Sequence, residues 1–582
     1  MKKIIFASVL ALLALNSCDS MLDEVNYGNP TTKDMMSKEE NVALLVGQAY
    51  ADVKWLHDHW GYWGVVTLTA DEGVCPIRMP DKDWADGNYW RNLNTHNWDV
   101  MGQAFRNIWN TTISGAVLCN KLIATLENNK ESMSEKVFAQ YVGELEVMRS
   151  YYYYMLFDCF GRIPYQEKFE SDTEPLMAPE KVWSRLVDCL EKNAPNLPVV
   201  TDANRALNYG RATQGFAYAL LARLYLNAES FGCTPSNIDL TNTAGSKISS
   251  AADFYTNAVR CCDAIIDAGS YSIEDNFFNN FKINNEGSRE NIFVIVENGN
   301  AKFDARSNGS MSNKLRLTIL TLNYNHQQTY GMIEKPWNGF CARPSFIERY
   351  NKNDVRGAGT DAERALGTNA THQWGWFVGP IYDADGKTLL KDKDEAKSDA
   401  IIVPTLHSLT EATDLEGARM FKYEIDREGK YDYCENDFVL FRYADVLWMK
   451  EEAILRGGAG TSSAGSADFK RLRARCFDYN EGDKEAAFNS AYATAAPGSM
   501  TLEGILDERG REFAWENMRR RDLIRFGKFN DPKYVEFVTG TDEYRKWFPI
   551  PYAVLERRLH CATKTATQSG PRTLVIRITT KT

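Results

Sequence analysis

Cysteine is scarce and badly placed for cross-linking: the 582 residues hold 12, and no two form a CxxC pair. Cys261 and Cys262 are adjacent and cannot comfortably share one ion, while Cys119, Cys159, Cys189 and Cys261 sit among apolar neighbours at helical spacing. That usage counts against a zinc site and a disulfide framework, and reads as buried free thiols. The closest approach to a metal motif is His57 and His59 in HDH, with His96 further along; no other ligand spacing supports it, so no metal or cofactor is assigned. HExxH, a P-loop and a Ser–His–Asp arrangement are all missing, and Gly457–Gly465 (GGAGTSSAG) lacks the strand and lysine of a phosphate cradle. No catalytic residue is assigned. Positive charge is in deficit, with a net charge of -11, which repels nucleic acid and anionic membrane surfaces. Beyond the first residues no apolar run approaches the roughly 20 needed to span a bilayer.

What is present begins with MKKIIFASVLALLALNSCDSMLDE. Lys2 and Lys3 precede an apolar stretch from Ile4 to Leu15, the pattern of a signal peptide over residues 1–17. Leu15-Asn16-Ser17-Cys18 resembles a bacterial lipobox, with Asn16 where a small residue is usual. Cys18 is therefore expected to carry a lipid anchor, with residues 18–37 as a polar tether. Apolar residues then recur at helical spacing. Val42, Leu45, Val46, Ala49, Val53 and Leu56 share one face; Phe138, Tyr141, Val142, Leu145, Met148, Tyr152 and Leu156 share another. Ala217, Ala219 and Ala222 beside Leu221, Leu224 and Tyr225 give the small-and-large pattern of paired helices in a tetratricopeptide-like array. ENIFVIVE, Glu290–Glu297, is the clearest strand. Between the helices run long insertions rich in Trp, Gly, Asn and Asp, at roughly Asp58–Trp98, Asn298–Arg356 and Gly367–Leu406; loops of that length are usually functional.

Six short motifs follow one another along the chain: TADEGV (Thr69–Val74), GELEVMRSYYYYMLFDCFGRIPY (Gly143–Tyr165), GRATQGFAYALLARLYLNA (Gly210–Ala228), WNGFCARPSFIERYNKNDVR (Trp337–Arg356), FVLFRYADVLWMKEEA (Phe438–Ala453) and WFPIP (Trp547–Pro551). Taken together the chain resembles the SusD/RagB outer-membrane glycan-binding lipoproteins of Bacteroidetes. Acidic Asp19, Asp23 and Glu24 after Cys18 are similar to the surface-export signal of such lipoproteins. The resemblance implies a mostly α fold: a tetratricopeptide-type helical scaffold with long irregular loops and a few short strands. It divides the chain into regions 38–300 and 301–556. It further implies a cell-surface protein without enzymatic activity, holding an oligosaccharide or polysaccharide in its loops and packing on a SusC-type TonB-dependent transporter. Two alternatives stay open, a peptide- or protein-binding uptake lipoprotein and a glycoside hydrolase, although no carboxylate pair suited to hydrolysis is identifiable. Residues 557–582 depart from the family, with six Lys or Arg, seven Thr and no acid. They read as a frameshifted or altered terminus after about Glu556.

One stretch resists the usual reading. RGREFAWENMRRRDLIRFGKF, Arg509–Phe529, mixes arginines and acids with apolar residues. On a wheel of about 3.6 residues per turn, Leu502, Ile505, Leu506, Phe513, Leu523 and Ile524 share a face with Arg509, Glu516 and Arg520. A solvated helix would separate the two kinds. The expectation is a buried ionic clasp using Arg509, Glu512, Glu516 and Arg520, with the glutamates in reach of Arg519 and Arg520 and the acids balancing the arginines against any phosphate-binding role.

Tryptophans in the polar loops are the ligand candidates, because aromatic faces stack on sugar rings while nearby amides and carboxylates bond hydroxyls. They are Trp84, Trp90 and Trp98 in DKDWADGNYWRNLNTHNWD, then Tyr330 and Trp337, then Trp374 and Trp376 in THQWGWFVGP. Trp374 and Trp376 would share one face of a strand. Trp337 belongs to the WNG element, where the resemblance favours a structural role. Asp71 and Glu72 are expected to hold loop structure.

Overall fold

Two helices of 26 residues each, Gln103–Asn128 and Glu135–Phe160, form the spine, each about 39 Å long. The computed structural model describes residues 36–557 apart from 171–174, 242–244, 246, 298–315, 360–374, 393–397, 426–434 and 478–481. The signal peptide, Cys18, Trp374 and nearly all of the basic tail lie outside the described residues. Helices are numbered along the chain as α1 (Glu39–Gly47), α2 (Tyr62–Leu68), α3 (Tyr89–Asn94), α4 and α5 (the two spine helices), α6 (Pro179–Asn193), α7 (Gln214–Leu226), α8 (Ala251–Asp267), α9 (Arg316–Thr321), α10 (Tyr443–Leu455), α11 (Leu502–Glu512) and α12 (Arg519–Arg525).

Local chemistry starts these helices where the sequence places them. Ser134 caps α5 by accepting from the Val137 N–H, and Thr213 caps α7 by accepting from the Phe216 N–H. Ser250 and Asp253 form a capping box on α8, and Pro179 occupies the first turn of α6. Packing then proceeds by neighbours: α4 on α5, α5 on α6, α6 on α7, α7 on α8, α8 on α10 and α10 on α11. The mostly helical, tetratricopeptide-like array is thus present. The spine helices approach closely because Gly115 faces Tyr152; a Cβ at Gly115 would lie 2.4 Å from that ring. The C-terminal half of α5, from Val147 to Phe160, is buried throughout. Hydrophobic residues from Met36 to Phe548 belong to one continuous core.

Strands are few and short. The expected strand near Glu290 is real: Asn291–Ile295 pairs antiparallel with Phe438–Arg442, which runs directly into α10. Gly375–Phe377 pairs with Arg419–Phe421, and Arg78–Met79 with Ala412–Thr413, tying the loop regions together.

The arginine-rich stretch is two helices, a correction to the single helix expected. Trp515 and Asn517, both with positive φ (63° and 68°), break the chain between α11 and α12. The glutamates therefore do not pair with Arg519 or Arg520. Glu512 accepts from Arg356 Nη1 at 2.7 Å, Arg475 Nη2 at 2.6 Å and Arg442 Nη1 at 2.9 Å. Glu516 accepts from Arg442 Nε at 2.7 Å and Lys422 Nζ at 2.5 Å. Burial alone would raise the Glu512 carboxyl; Arg475, Arg442 and Arg356 override it and hold the group well below the usual range. Arg509 joins Asp445 at 2.7 Å and Asp522 at 2.8 Å, and Arg520 reaches Asp158 at 3.1 Å. Arg519 grips Asp71, joined there by Arg349. The ionic groups thus fasten α11 and α12 to elements from both ends of the chain.

Candidate functional site

The site begins with Arg78–Met79 and the loop that follows it. Lys82, Trp84, Asp86 and Asn88 all have positive φ, so the loop folds back on itself before α3 starts. Arg91 on α3 locks it by donating to the carbonyls of Trp84 and Ala85. The Trp84 indole lies across Gly339, where a Cβ would sit 2.2 Å from Trp84 Cε2. Its Nε1 donates to the Trp337 carbonyl at 2.9 Å.

The Trp337-Asn338-Gly339 turn is satisfied group by group. Its N–H groups donate to the carbonyls of Ile319, Leu322 and Leu320, at and just after the end of α9, where helical carbonyls would otherwise lack partners. Arg78, fully buried, donates to the carbonyls of Asn338 at 3.0 Å and Gly339 at 3.1 Å, and also to those of Thr413 and Glu416. The Asn338 amide donates to Asp414 and accepts from Arg419, each at 2.9 Å. Two buried arginines therefore act on main-chain carbonyls to set the positions of Trp84 and Trp337.

The result is a strip of aromatic rings. Trp337 stands 6.0 Å from Trp84, Trp84 stands 5.8 Å from Trp90, Trp90 stands 4.4 Å from Trp60, and Trp60 stacks on Tyr89 at 5.1 Å and 27°. Trp337 is 40% exposed; Trp84, Trp60 and Tyr89 are half-buried. His59 lies among Trp84, Trp90 and Trp337, its Nδ1 paired with Asp58. Exposed Asp81, Lys82, Asp83, Asp86 and Asn88 border the strip. The arrangement offers ring faces and edges to an amphipathic ligand beside polar groups that can bond hydroxyls.

The structure separates the candidates drawn from the sequence. Trp84 and Trp337 come together at the surface. Trp90, at 0% exposure, is the floor beneath them, its Nε1 donating to Asp86 at 2.7 Å, so it has no free face for a ligand. Trp376, 1% exposed, is a core residue set edge-on against Trp515 at 5.5 Å; the sharing of a strand face with Trp374 is not described. Tyr330, 2% exposed, packs on His326 and Phe421 in a separate small core. Expectations of ligand contact at these three are corrected by burial. Trp98 is half-buried elsewhere, against His96, Phe105 and Phe548. Sequence reasoning missed Trp60 and Tyr89; the signal for Trp60 was the crowding of rings in HDHWGYW, and for Tyr89 its place beside Trp90.

Other reactive groups are spoken for. His57 packs on Tyr62 and Phe438 while His59 packs on the tryptophans, so the HDH pair divides between two surroundings. Cys476, Glu508 and Glu512 lie close enough together to hold an ion, yet both carboxylates already bind Arg356. Asp71 pairs with Arg519 and Arg349, whereas Glu72 accepts from the Trp515 N–H and its carboxyl is pushed up to about 8 by burial, against that hydrogen bond.

Residues 290–559 match the model of the SusD family, and residues 69–226 match a model described as starch-binding, associating with outer membrane. The starch-binding protein SusD of Bacteroides thetaiotaomicron is 23% identical over 445 residues, covering 72% of each chain. Surface glycan-binding protein A of the same organism, solved in complex with laminarihexaose, superposes with a TM-score of 0.62 at 19% identity, over 90% of this chain and 98% of that one. A SusD superfamily protein from Parabacteroides distasonis gives 0.62 at 16% identity, over 89% and 97%. The helical array, the motif order and the two family matches agree: the chain belongs to the SusD/RagB family.

Proposed function

We propose that this protein binds an oligosaccharide or polysaccharide at the bacterial outer membrane, without cleaving it, and passes it to a SusC-type TonB-dependent transporter. The observation that carries the reading is the aromatic strip of exposed Trp337 and half-buried Trp84, Trp60 and Tyr89, held by the Arg78 and Arg91 carbonyl contacts. Sugar rings present apolar faces that match indole and phenol rings, and the bordering carboxylates and amides match hydroxyls. The starch and laminarihexaose named for the relatives set the first ligands to try. Cys18 would supply the lipid anchor that keeps the protein at the cell surface.

The test is native affinity electrophoresis of protein lacking residues 1–18, against starch, laminarin and other plant, fungal and host polysaccharides. Retardation by one polymer, lost on Trp337→Ala or Trp84→Ala and retained on Trp98→Ala, supports the site. Release of reducing ends from the bound polymer would favour a hydrolase. Absence of retardation from folded protein, with thermal protection by peptides, would favour the peptide-binding alternative.

A further inference from the structure

We propose that the scaffold holds one monovalent anion of chloride size in the partly open cavity where α5, α7, α10, α11 and α12 meet. Four guanidiniums line this cavity, those of Arg223, Arg509, Arg521 and Arg525, against one carboxylate, Asp522. Its volume of about 20 Å³ admits roughly one species the size of a water molecule.

Charge counting separates this cluster from the one around Glu512. Around Glu512, five bases (Arg356, Lys422, Arg442, Arg475, Arg511) meet five acids (Glu290, Asp354, Glu508, Glu512, Glu516). Around the cavity, Arg223, Arg456, Arg509 and Arg525 share only Asp445, Glu452 and Asp522. Arg520 and Arg521 share only Asp158. Among the described residues these linked pairs leave two positive charges in surplus, nearly all of it buried. An uncompensated buried charge is strongly unfavourable, and a trapped anion is the direct remedy.

Two unsatisfied polar atoms belong to residues that line the same cavity. Arg521 commits Nε and Nη2 to Asp158, lies 4.2 Å from the Phe231 ring centroid, and leaves Nη1 without an acceptor. Asn517 leaves Oδ1 unpartnered while its Nδ2 sits 3.1 Å from His57 Nδ1. Exchanging the amide O and N lets Oδ1 accept from a protonated His57 Nδ1 and turns the Asn517 amide into a second donor for the cavity. A water molecule would occupy the orphan donor and leave the charge surplus in place. A halide meets both requirements, and it would bridge α7, α11 and α12 through their guanidiniums.

The test uses the mature protein lacking residues 1–18. Crystals soaked in sodium bromide are measured at the bromine edge, and thermal unfolding is followed in chloride or bromide against gluconate at matched ionic strength. The expected result is one anomalous peak in the cavity and a midpoint about 2 °C higher in halide. Arg521→Met should abolish both. A cavity without an anomalous peak, with equal midpoints in the two salts, overturns the proposal. A peak with no halide-specific stabilisation marks an adventitious ion only and also overturns it. Should Arg521→Met fail to fold, the wild-type map and salt series decide by themselves.

Discussion

At Gly339 a single hydrogen decides whether the platform can form. Any Cβ there would lie 2.2 Å from Trp84 Cε2 and 2.4 Å from Cζ2, so Gly339→Ala must push the indole off its seat. Overpacking of this kind costs about 1–3 kcal/mol, and we expect glycan retardation to fall as far as it does for Trp84→Ala. Unfolding curves alongside affinity electrophoresis check both. Glu72 makes a second residue-scale prediction. Its folded carboxyl is pushed up to about 8, because burial outweighs the hydrogen bond from Trp515, whereas an unfolded glutamic acid keeps its ordinary value of 4.5. The neutral form is the one the fold accepts. Its stabilising contribution is complete below 4.5, declines as pH rises, and is lost once pH passes about 8. Glu72→Gln should therefore flatten that decline and gain on the order of a few kcal/mol relative to wild type at pH 8.5, with little gain at pH 4.5. Denaturant unfolding across pH measures it; a parallel decline in the variant would refute the assignment.

At the scale of elements, α11 and α12 act as a fastener whose strength lies in completeness. Glu512 serves three arginines at once, each from a different part of the chain. Glu512→Gln leaves those cations under-neutralised in the interior and should cost about 3–5 kcal/mol. The Glu512 carboxyl is held low by the arginines against burial, so its stabilising contribution is present throughout neutral pH and fades only below the ordinary glutamate range. The Arg289–Asp202 bridge is the contrast, with side chains 48% and 77% exposed. Arg289→Ala should cost less than about 1 kcal/mol. Guanidinium unfolding of the two variants, side by side, tests whether burial sets the difference.

Across the whole molecule, the proposed ligand would meet a surface already assembled. The Trp84 loop, the Trp337 turn and the ends of α3 and α9 are joined by hydrogen bonds that need no ligand. Binding should then raise the unfolding free energy by mass action, by about 2.7 kcal/mol at one hundred times the dissociation constant, while far-ultraviolet dichroism stays unchanged. A large dichroism change on adding glycan would show that the site forms only on binding. The scaffold itself spans both matched regions, since Trp515 Nε1 donates to the Glu72 carbonyl at 3.0 Å and Asp71 holds Arg519 at 2.7 Å. Loosening either end of the chain should therefore lower a single cooperative transition.

Local chemistry was legible in the sequence and distant geometry was not. Helical spacing gave the helices because it acts within a turn or two of chain, and in the fold Ser134, Thr213 and Ser250 cap three of them. The mixing of charge and apolar residues near Arg509 already required buried ion pairs. Which partners they took could not be read, because Arg356, Arg442 and Arg475 are distant in sequence and Trp515 and Asn517 break the helix on which the wheel was drawn. The tryptophans looked alike in composition, as residues in polar loops. Only tertiary packing divided them, burying Trp90 and Trp376, setting Trp98 apart, and leaving Trp84 and Trp337 at the surface beside Trp60 and Tyr89. Exposure of a ring depends on what the rest of the chain lays over it, and that is a property of the assembled fold.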